Sequence, residues 1–366
     1  MELSVVIPCL NESETIAICI KKAKSEIVKL NLNAEIIVSD NGSTDGSVEI
    51  AKKLNATVIS CKEKGYGSAV INGIINSKGK YILIADADDS YNFEDLPLFY
   101  KKIKEGYDLV QGCRMPSGGG KIVKGAMPIT HRLIGNPMFS MMGKIFFSLS
   151  FNDVYCGMKI IRRDFFKKEN FLSRGMVFCI EILIRSKVLN ARVYELPITL
   201  FKDGRKNSKS HLRTISDGFK TLKFFLICCP KWLYFIPSLL FLLFIPVSLF
   251  YKRIFNELQG IELISMQFMI FFLSFQFFMF GIFSSLRAKD LGLYKGYWLD
   301  KFFKIFNLKI AFLLSGILVI VSLSLHVFDI HVLTKDKSFI AIIFLLFFSI
   351  NLIANSLVIS LLSLNK

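Results

Sequence analysis

The chain has 366 residues, 52% of them hydrophobic and 13% aromatic, with a mean hydropathy of +0.48, too apolar for an ordinary soluble protein of this size. Its formal charge of +17 would suit a nucleic-acid binder, but the surplus basic residues lie beside long apolar runs, which points to a membrane and argues against nucleic acid. Eight cysteines without a C-x-x-C spacing argue against both zinc and a disulfide framework.

The opening Met1-Glu2-Leu3-Ser4-Val5-Val6-Ile7-Pro8 lacks the charged region of a signal peptide and reads as a first strand. Short apolar strands then alternate with amphipathic helices: Leu3–Ile7 with a helix over 13–29, Ala34–Ser39 with 45–54, Thr57–Ser60 with 66–77, and Tyr81–Ala85 with 93–104. The alternation predicts an α/β domain, a parallel sheet with helices on both faces and right-handed crossovers. Ligands of such sheets gather beyond the carboxyl ends of the strands. Three polar segments fall there: Pro8-Cys9-Leu10-Asn11-Glu12, Asp40-Asn41-Gly42-Ser43-Thr44-Asp45-Gly46 and Asp86-Ala87-Asp88-Asp89. Each also has helix-capping residues to offer, such as Ser13 or Ser43. Clustered carboxylates repel one another unless a cation neutralises them, and hard Mg²⁺ or Mn²⁺ sites combine one or two carboxylates with ligand phosphates. The third segment therefore predicts a metal-bound diphosphate. Gly65-Tyr66-Gly67 follows the third strand, lacks the last glycine of a dinucleotide fingerprint, and reads as a flexible helix start near the nucleotide.

Beyond residue 230 come four apolar runs, near 232–251, 264–286, 310–328 and 339–364, each long enough for a membrane span of about 20 residues. The expected organisation is a globular domain over 1–210, an interfacial amphipathic helix over 211–230 and an all-α transmembrane domain over 231–366. Basic residues crowd the approach to the first run, including Lys202, Arg205, Lys220 and Lys231, and the second connection, including Arg287, Lys295 and Lys309. By the positive-inside rule the globular domain and the C-terminus are cytoplasmic. Four spans exceed what an anchor needs, which leaves room for acceptor handling or a homo-oligomer.

With these segments in hand, the chain resembles the family 2 glycosyltransferases of the GT-A (Rossmann-like) fold. Within them it is most similar to the polyprenyl-phosphate sugar transferases, of which the dolichol-phosphate mannose synthases are the type. The resemblance rests on Val5–Glu12, Ile37–Gly46, Gly65-Tyr66-Gly67 and Asp86-Ala87-Asp88, and covers roughly the first 225 residues. It implies that Pro8, Asn11, Glu12, Asp40, Gly65 and Asp86 line the nucleotide pocket, and that Asp88 holds Mg²⁺ or Mn²⁺ on the diphosphate of a UDP- or GDP-linked sugar. Asp89 departs from the usual family residue, leaving open a second metal ligand or an outward loop acid. For the acceptor phosphate of a polyprenyl lipid the resemblance implies Arg114, Arg132, Asn136, Arg205 and, less directly because the loop spacing is altered, Lys209. Asp153, at the head of Asp153-Val154-Tyr155-Cys156-Gly157-Met158-Lys159, is implied near sugar and acceptor, where it orients the sugar or acts as a base. Glu181, on a helix predicted over 176–187, reads equally as a site residue or a structural ion-pair partner.

A phosphate acceptor is already ionised and needs positioning by cations such as Arg132 and Arg205 rather than a strong base. The expected reaction is inverting transfer to a polyprenyl phosphate, with Asp88, Asp153, Arg132 and Arg205 in the catalytic roles. The competing readings are a polysaccharide synthase, whose Gln-x-x-Arg-Trp signature has no counterpart here, and a catalytically inactive membrane scaffold.

Overall fold

The computed structural model describes residues 1–166, 171–206, 214–255, 260–296, 298–299, 301–302, 308–327 and 335–363. The chain divides into two compact units, Met1–Phe224 and Phe225–Lys366. The first is an α/β domain. Strands β1 (Leu3–Cys9), β2 (Ala34–Asp40), β3 (Thr57–Ser60) and β4 (Tyr81–Ile84) alternate with helices α1 (Ile16–Lys29), α2 (Ser47–Lys53) and α3 (Tyr66–Asn76), and α4 (Leu96–Lys104) follows. These four strands are mutually parallel, with Val6 of β1 paired to Ile37 and Ile84. β1 lies between β2 and β4 and is buried throughout. Pro8 falls beyond the last β1–β4 pair, where a missing N–H costs no ladder bond on that side.

Helix α1 buries Ile16, Cys19, Ile20 and Ala23 against the sheet, at the three- and four-residue spacing of an amphipathic stripe. Helix α3 comes closer still. A Cβ on Gly73 would stand 2.2 Å from Val6 Cγ1, so the absent side chain lets the helix lie directly on β1.

The remainder of the sheet is not consecutive. β5 (Leu109–Cys113), β7 (Lys159–Arg162) and β8 (Val193–Pro197) complete the order β3-β2-β1-β4-β7-β5-β8, and β7 runs antiparallel to both neighbours. β6 (Lys121–Ile122) and β9 (Thr199–Leu200) form a separate two-stranded sheet. Helix α5 (Asn136–Phe147) follows a π-helical turn over His131–Gly135, α6 is Arg163–Phe166, and α7 is Phe178–Val188.

Helix α8 (Thr214–Cys228) covers the described part of the expected interfacial helix. The second unit comprises α9 (Ile236–Phe255), α10 (Gly260–Asp290), α11 (Leu308–Val327) and α12 (Lys335–Ser363). Two helices, Glu262–Asp290 and Ile340–Ser360, are long and apolar enough to cross a membrane. Ser216–Cys228 and Lys231–Val247 pass as a third span only when joined across a 75° bend, and Pro230 at the break cannot continue the helix ladder. The expected run at 310–328 gives a shorter apolar helix, Lys309–Ser324. The four predicted apolar runs fall on α9 to α12, of which two meet the length and apolarity of a span by themselves, or three counting the bent pair, among the described residues.

Helices consecutive in the chain run antiparallel where they meet, and the next but one run parallel. Ser238 bonds Ser274 and Tyr234 meets Phe280, an antiparallel sequence of contacts between α9 and α10. Phe268 stacks on Phe344, Phe275 meets Phe348 edge to face, and Gln276 donates to Asn351 at 2.7 Å, a parallel sequence between α10 and α12. An amide pair between apolar helices is worth roughly 1 kcal/mol. Gln276→Leu should weaken the bundle by that amount, seen as earlier unfolding in mixed micelles, and Asn351→Leu in the same background should add little.

Candidate functional site

The polar loops at the carboxyl ends of β1, β2 and β3 are tied to one another by side chains. Asn11, at φ 55°, accepts from Thr44 N–H through its Oδ1 at 2.8 Å, and its own N–H donates to Ser43 Oγ at 2.9 Å. Glu12 N–H donates to Ser47 Oγ and Ser13 N–H to Asp45. Asp40 accepts from the amides of Gly42 and Ser43, holding the turn after β2. Asn41 then links that turn to the third loop, donating to the carbonyl of Glu63 and accepting from Gly65 N–H at 2.7 Å. The candidate caps therefore work between loops and make one rim of three segments.

Gly65 and Gly67 have a packing reason that the sequence did not show. A Cβ on Gly65, at φ +125°, would stand 2.2 Å from Arg174 O, and one on Gly67 would stand 2.3 Å from Ser173 O. Ser68 N–H donates to the same Arg174 carbonyl. The flexible helix start is thus a clamped one, pressed under the 172–175 segment. Glu181 holds that segment from below: it is fully buried, accepts from the amides of Leu172 and Ser173, and pairs with Arg185 at 2.8 Å. Its role is the structural one of the two alternatives.

On the same rim a cluster of carboxylates shares one guanidinium. Arg205 donates to Glu12 Oε1 at 3.0 Å and to Asp88 Oδ2 at 3.4 Å, and forks onto Asp203. The other Asp88 oxygen accepts from Ser90 Oγ and N–H. Arg205 is brought there by the strand-like segment after β9, where Phe201 N–H donates to Ser90 O and Gly204 N–H to Asp88 O at 2.8 Å. Asp89 turns the other way and pairs with Lys22 of α1 at 2.7 Å.

Behind the cluster is a buried web. A Cβ on Gly157 would fall 2.5 Å from Asp86 Oδ2, so glycine is what lets this segment close on Asp86. Gly157 N–H and Arg114 both donate to Tyr91 Oη. Asp153 is fully buried and takes three bonds from Arg114: Nε at 2.7 Å, Nη2 at 2.9 Å and the backbone N–H at 3.0 Å. Lys159, also fully buried, donates to Cys156 O, and Gln111 donates to the carbonyls of Asp153 and Cys156. Asp86 Oδ1 is buried without a hydrogen-bond partner.

Three predicted acceptor residues stand apart from this geometry. Arg132 is exposed on the π-helical turn, outside the carboxylate cluster. Asn136 is buried at the start of α5 with its amide directed at the sulfurs of Met115 and Met127. Lys209 lies outside the described residues. Asp203, Tyr91, Lys159, Gln111 and Glu195 join the site without having been singled out by their sequence context, and Glu195 accepts from the amides of Asn152 and Asp153. Only Asp203, two residues before Arg205, carried a local signal.

The cluster suits a hard cation brought with phosphate oxygens. Among the described residues no group of three His, Cys, Asp or Glu side chains is arranged to hold a metal unaided, whereas Asp88 at the open rim can supply one or two oxygens and leave the rest to a diphosphate. The electrostatics point the same way. Burial, reinforced by Asp88 and opposed by Arg205, pushes the Glu12 carboxyl up to about 7. Burial and then the Asp88 charge push Asp86 up to about 6. Both groups hold protons more tightly folded than unfolded, so their contribution to stability is present below the ordinary carboxylate range and is lost as pH rises through about 6 to 7. Thermal unfolding between pH 5 and 8 should show Tm falling across that interval, and Glu12→Gln should flatten the fall. A Tm that climbs there in the unsubstituted chain would contradict this electrostatic assignment.

Residues 4–169 match the model of glycosyl transferase family 2. The chain is 32% identical over 237 residues to the low-salt glycan biosynthesis hexosyltransferase Agl6 of Haloferax volcanii, covering 64% of this chain and 56% of that protein. It is 30% identical over 197 residues to the dolichyl-phosphate hexose transferase of the same organism, covering 54% of this chain and 82% of that one. The crystal structure of a mycobacterial protein shares the fold with a TM-score of 0.51 at 19% identity, covering 62% of this chain and 74% of the other. The chain spans little more than half of the first relative's length and about four-fifths of the second's. The chain belongs to glycosyl transferase family 2.

Proposed function

We propose that the chain transfers a sugar from a nucleotide diphosphate sugar to a membrane polyprenyl phosphate with inversion, releasing a polyprenyl-phosphate-linked monosaccharide. The observation that carries this reading is the Glu12, Asp88 and Asp203 cluster closed by Arg205 on the rim of a family 2 domain, in a chain with apolar helices of membrane length. The similarity to a dolichyl-phosphate hexose transferase supports the acceptor class.

Mg²⁺ or Mn²⁺ bound through Asp88 and the diphosphate would supply Lewis-acid stabilisation of the leaving group. The chain's own residues do the rest. Asn11, Asp40 and Gly65 shape the tied rim that receives the nucleoside, with Pro8 and Glu12 at its floor. Arg205 offers a planar fork whose carboxylate partners a phosphate can replace, since guanidinium binds both in the same bidentate geometry. An ionised phosphate oxygen of the acceptor attacks the anomeric carbon, the bond to the diphosphate oxygen breaks, and the electron pair leaves with the nucleoside diphosphate. No base is needed for a nucleophile that carries no proton. Asp153, engaged by Arg114 through both oxygens, serves to fix Arg114 and the Gly157 segment rather than to take a proton. Arg132 and Lys209 complete the acceptor side in this proposal, with Asn136 supporting the turn from within rather than reaching the phosphate, and the catalytic domain faces the cytoplasm by charge distribution.

The test is lipid extraction after incubating the full chain in detergent with polyprenyl phosphate, Mg²⁺ or Mn²⁺, and labelled UDP-glucose, GDP-mannose or UDP-N-acetylglucosamine. One label should enter the lipid phase, EDTA should abolish the transfer, and Asp88→Asn should lower it by about 100-fold or more. Donor binding without label in lipid would overturn the acceptor assignment in favour of a synthase or an inactive scaffold.

A further inference from the structure

We propose that Tyr155 is a positioning residue for the acceptor: its hydroxyl fixes α8, and with α8 the far end of the segment that carries Arg205, to the buried web around Asp153. The inference rests on the transfer reading above and adds to it the side chain that joins two separate parts of the acceptor side. Those parts come from distant stretches of chain. Arg114 is held by Asp153 through both carboxylate oxygens. Arg205 stands on a segment whose near end is tied by the amides of Phe201 and Gly204 to the carbonyls of Ser90 and Asp88. Beyond Arg205 the chain next becomes regular at α8, which begins at Thr214. Whatever holds α8 therefore bounds the far end of the Arg205 segment.

Tyr155 supplies that hold. It lies between Asp153 and Gly157 in the chain, and its Oη donates to Thr221 Oγ1 on α8 at 2.6 Å. Thr221 is fully buried, whereas Phe219 and Lys220 beside it on the helix are exposed. Burial pushes the Tyr155 phenol well above its ordinary range, so it keeps its proton and remains a donor. The base of this reach is itself fixed. The Tyr155 ring meets Phe139 of α5 edge to face at 5.6 Å, and Val154 N–H donates to Ser140 Oγ at 3.4 Å. A buried hydroxyl pair is directional where apolar contacts are not, and separating it leaves a polar group unpaired. The same short stretch thus carries Asp153, which orients Arg114, Gly157, which closes on Asp86, and Tyr155, which sets α8.

The test compares the full chain in detergent with Tyr155→Phe, which keeps the ring on Phe139, with Thr221→Val, with the double variant, and with Thr221→Ser, which restores a hydroxyl. Amide hydrogen exchange over α8 is the first readout, and the steady-state constants for polyprenyl phosphate and for the nucleotide sugar are the second. Tyr155→Phe and Thr221→Val should each speed exchange in α8 and raise the acceptor KM by roughly ten-fold, the worth of one buried hydrogen bond, while the donor KM stays as it was. The double variant should be no worse than either single one, and Thr221→Ser should behave as the parent. Unchanged exchange in α8, additive effects in the double variant, or equal rises in both KM values would overturn the proposal. If the parent labels no lipid, the transfer reading has failed, and the exchange comparison alone upholds or overturns the tie.

Discussion

Like charges drawn to one edge of a sheet must be neutralised, and in this chain that requirement organises the rim. Glu12 and Asp88 arrive at the ends of different strands, and Asp203 comes from the segment after β9. Between them stands the guanidinium of Arg205, 193 residues from Glu12 and 117 from Asp88. Of the three only Glu12 is buried, and leaving it unpaired would be costly; Arg205 thus holds its segment against the rim, assisted by the amide bonds to the Ser90 and Asp88 carbonyls. One positive charge among three carboxylates leaves the cluster net acidic. In the function proposed above, that residual charge is what a divalent cation and its phosphates would meet.

The second constraint is close approach. Gly157 lets the Asp153–Lys159 segment close on Asp86, and Gly65 and Gly67 let the 172–175 segment lie on the start of α3. In each case a missing Cβ replaces what a side chain would otherwise hold apart. The Arg114–Asp153 pair then locks the antiparallel insertion of β7 behind the rim, and Glu181 with Arg185 locks the 172–175 segment. Both pairs are internal supports whose value is positional, because buried ion pairs contribute little net stability once their desolvation is counted.

Much of this was legible in sequence, for local reasons. The first four strands announce themselves by apolar runs ending in polar turns, and Thr57–Ser60 is observed with the bounds its composition predicts. The resemblance to family 2 pointed to Asp88 and Arg205, which the structure brings within hydrogen-bond reach of each other. What was not legible is non-local. Nothing in Lys159–Arg162 says that it pairs antiparallel between β4 and β5, since strand order is set by packing rather than by the strand's own residues. The Tyr91 hydroxyl accepts from Gly157 N–H, 66 residues away, and the reason for Gly65-Tyr66-Gly67 is the backbone of Ser173 and Arg174 passing over it. In the second unit hydropathy located the apolar runs, and α9 to α12 fall on them.

The most direct test of the central claim is calorimetric titration of UDP and GDP into the full chain, with Mn²⁺ and with EDTA, for the unsubstituted protein and for Asp203→Asn. The account predicts that one nucleotide binds only when Mn²⁺ is present. It also predicts that Asp203→Asn, which lowers the acidity of the cluster and loosens Arg205, weakens that metal-dependent binding. Nucleotide binding of equal strength in Mn²⁺ and EDTA would contradict it, because the rim carboxylates would then have some task other than holding a cation against a diphosphate.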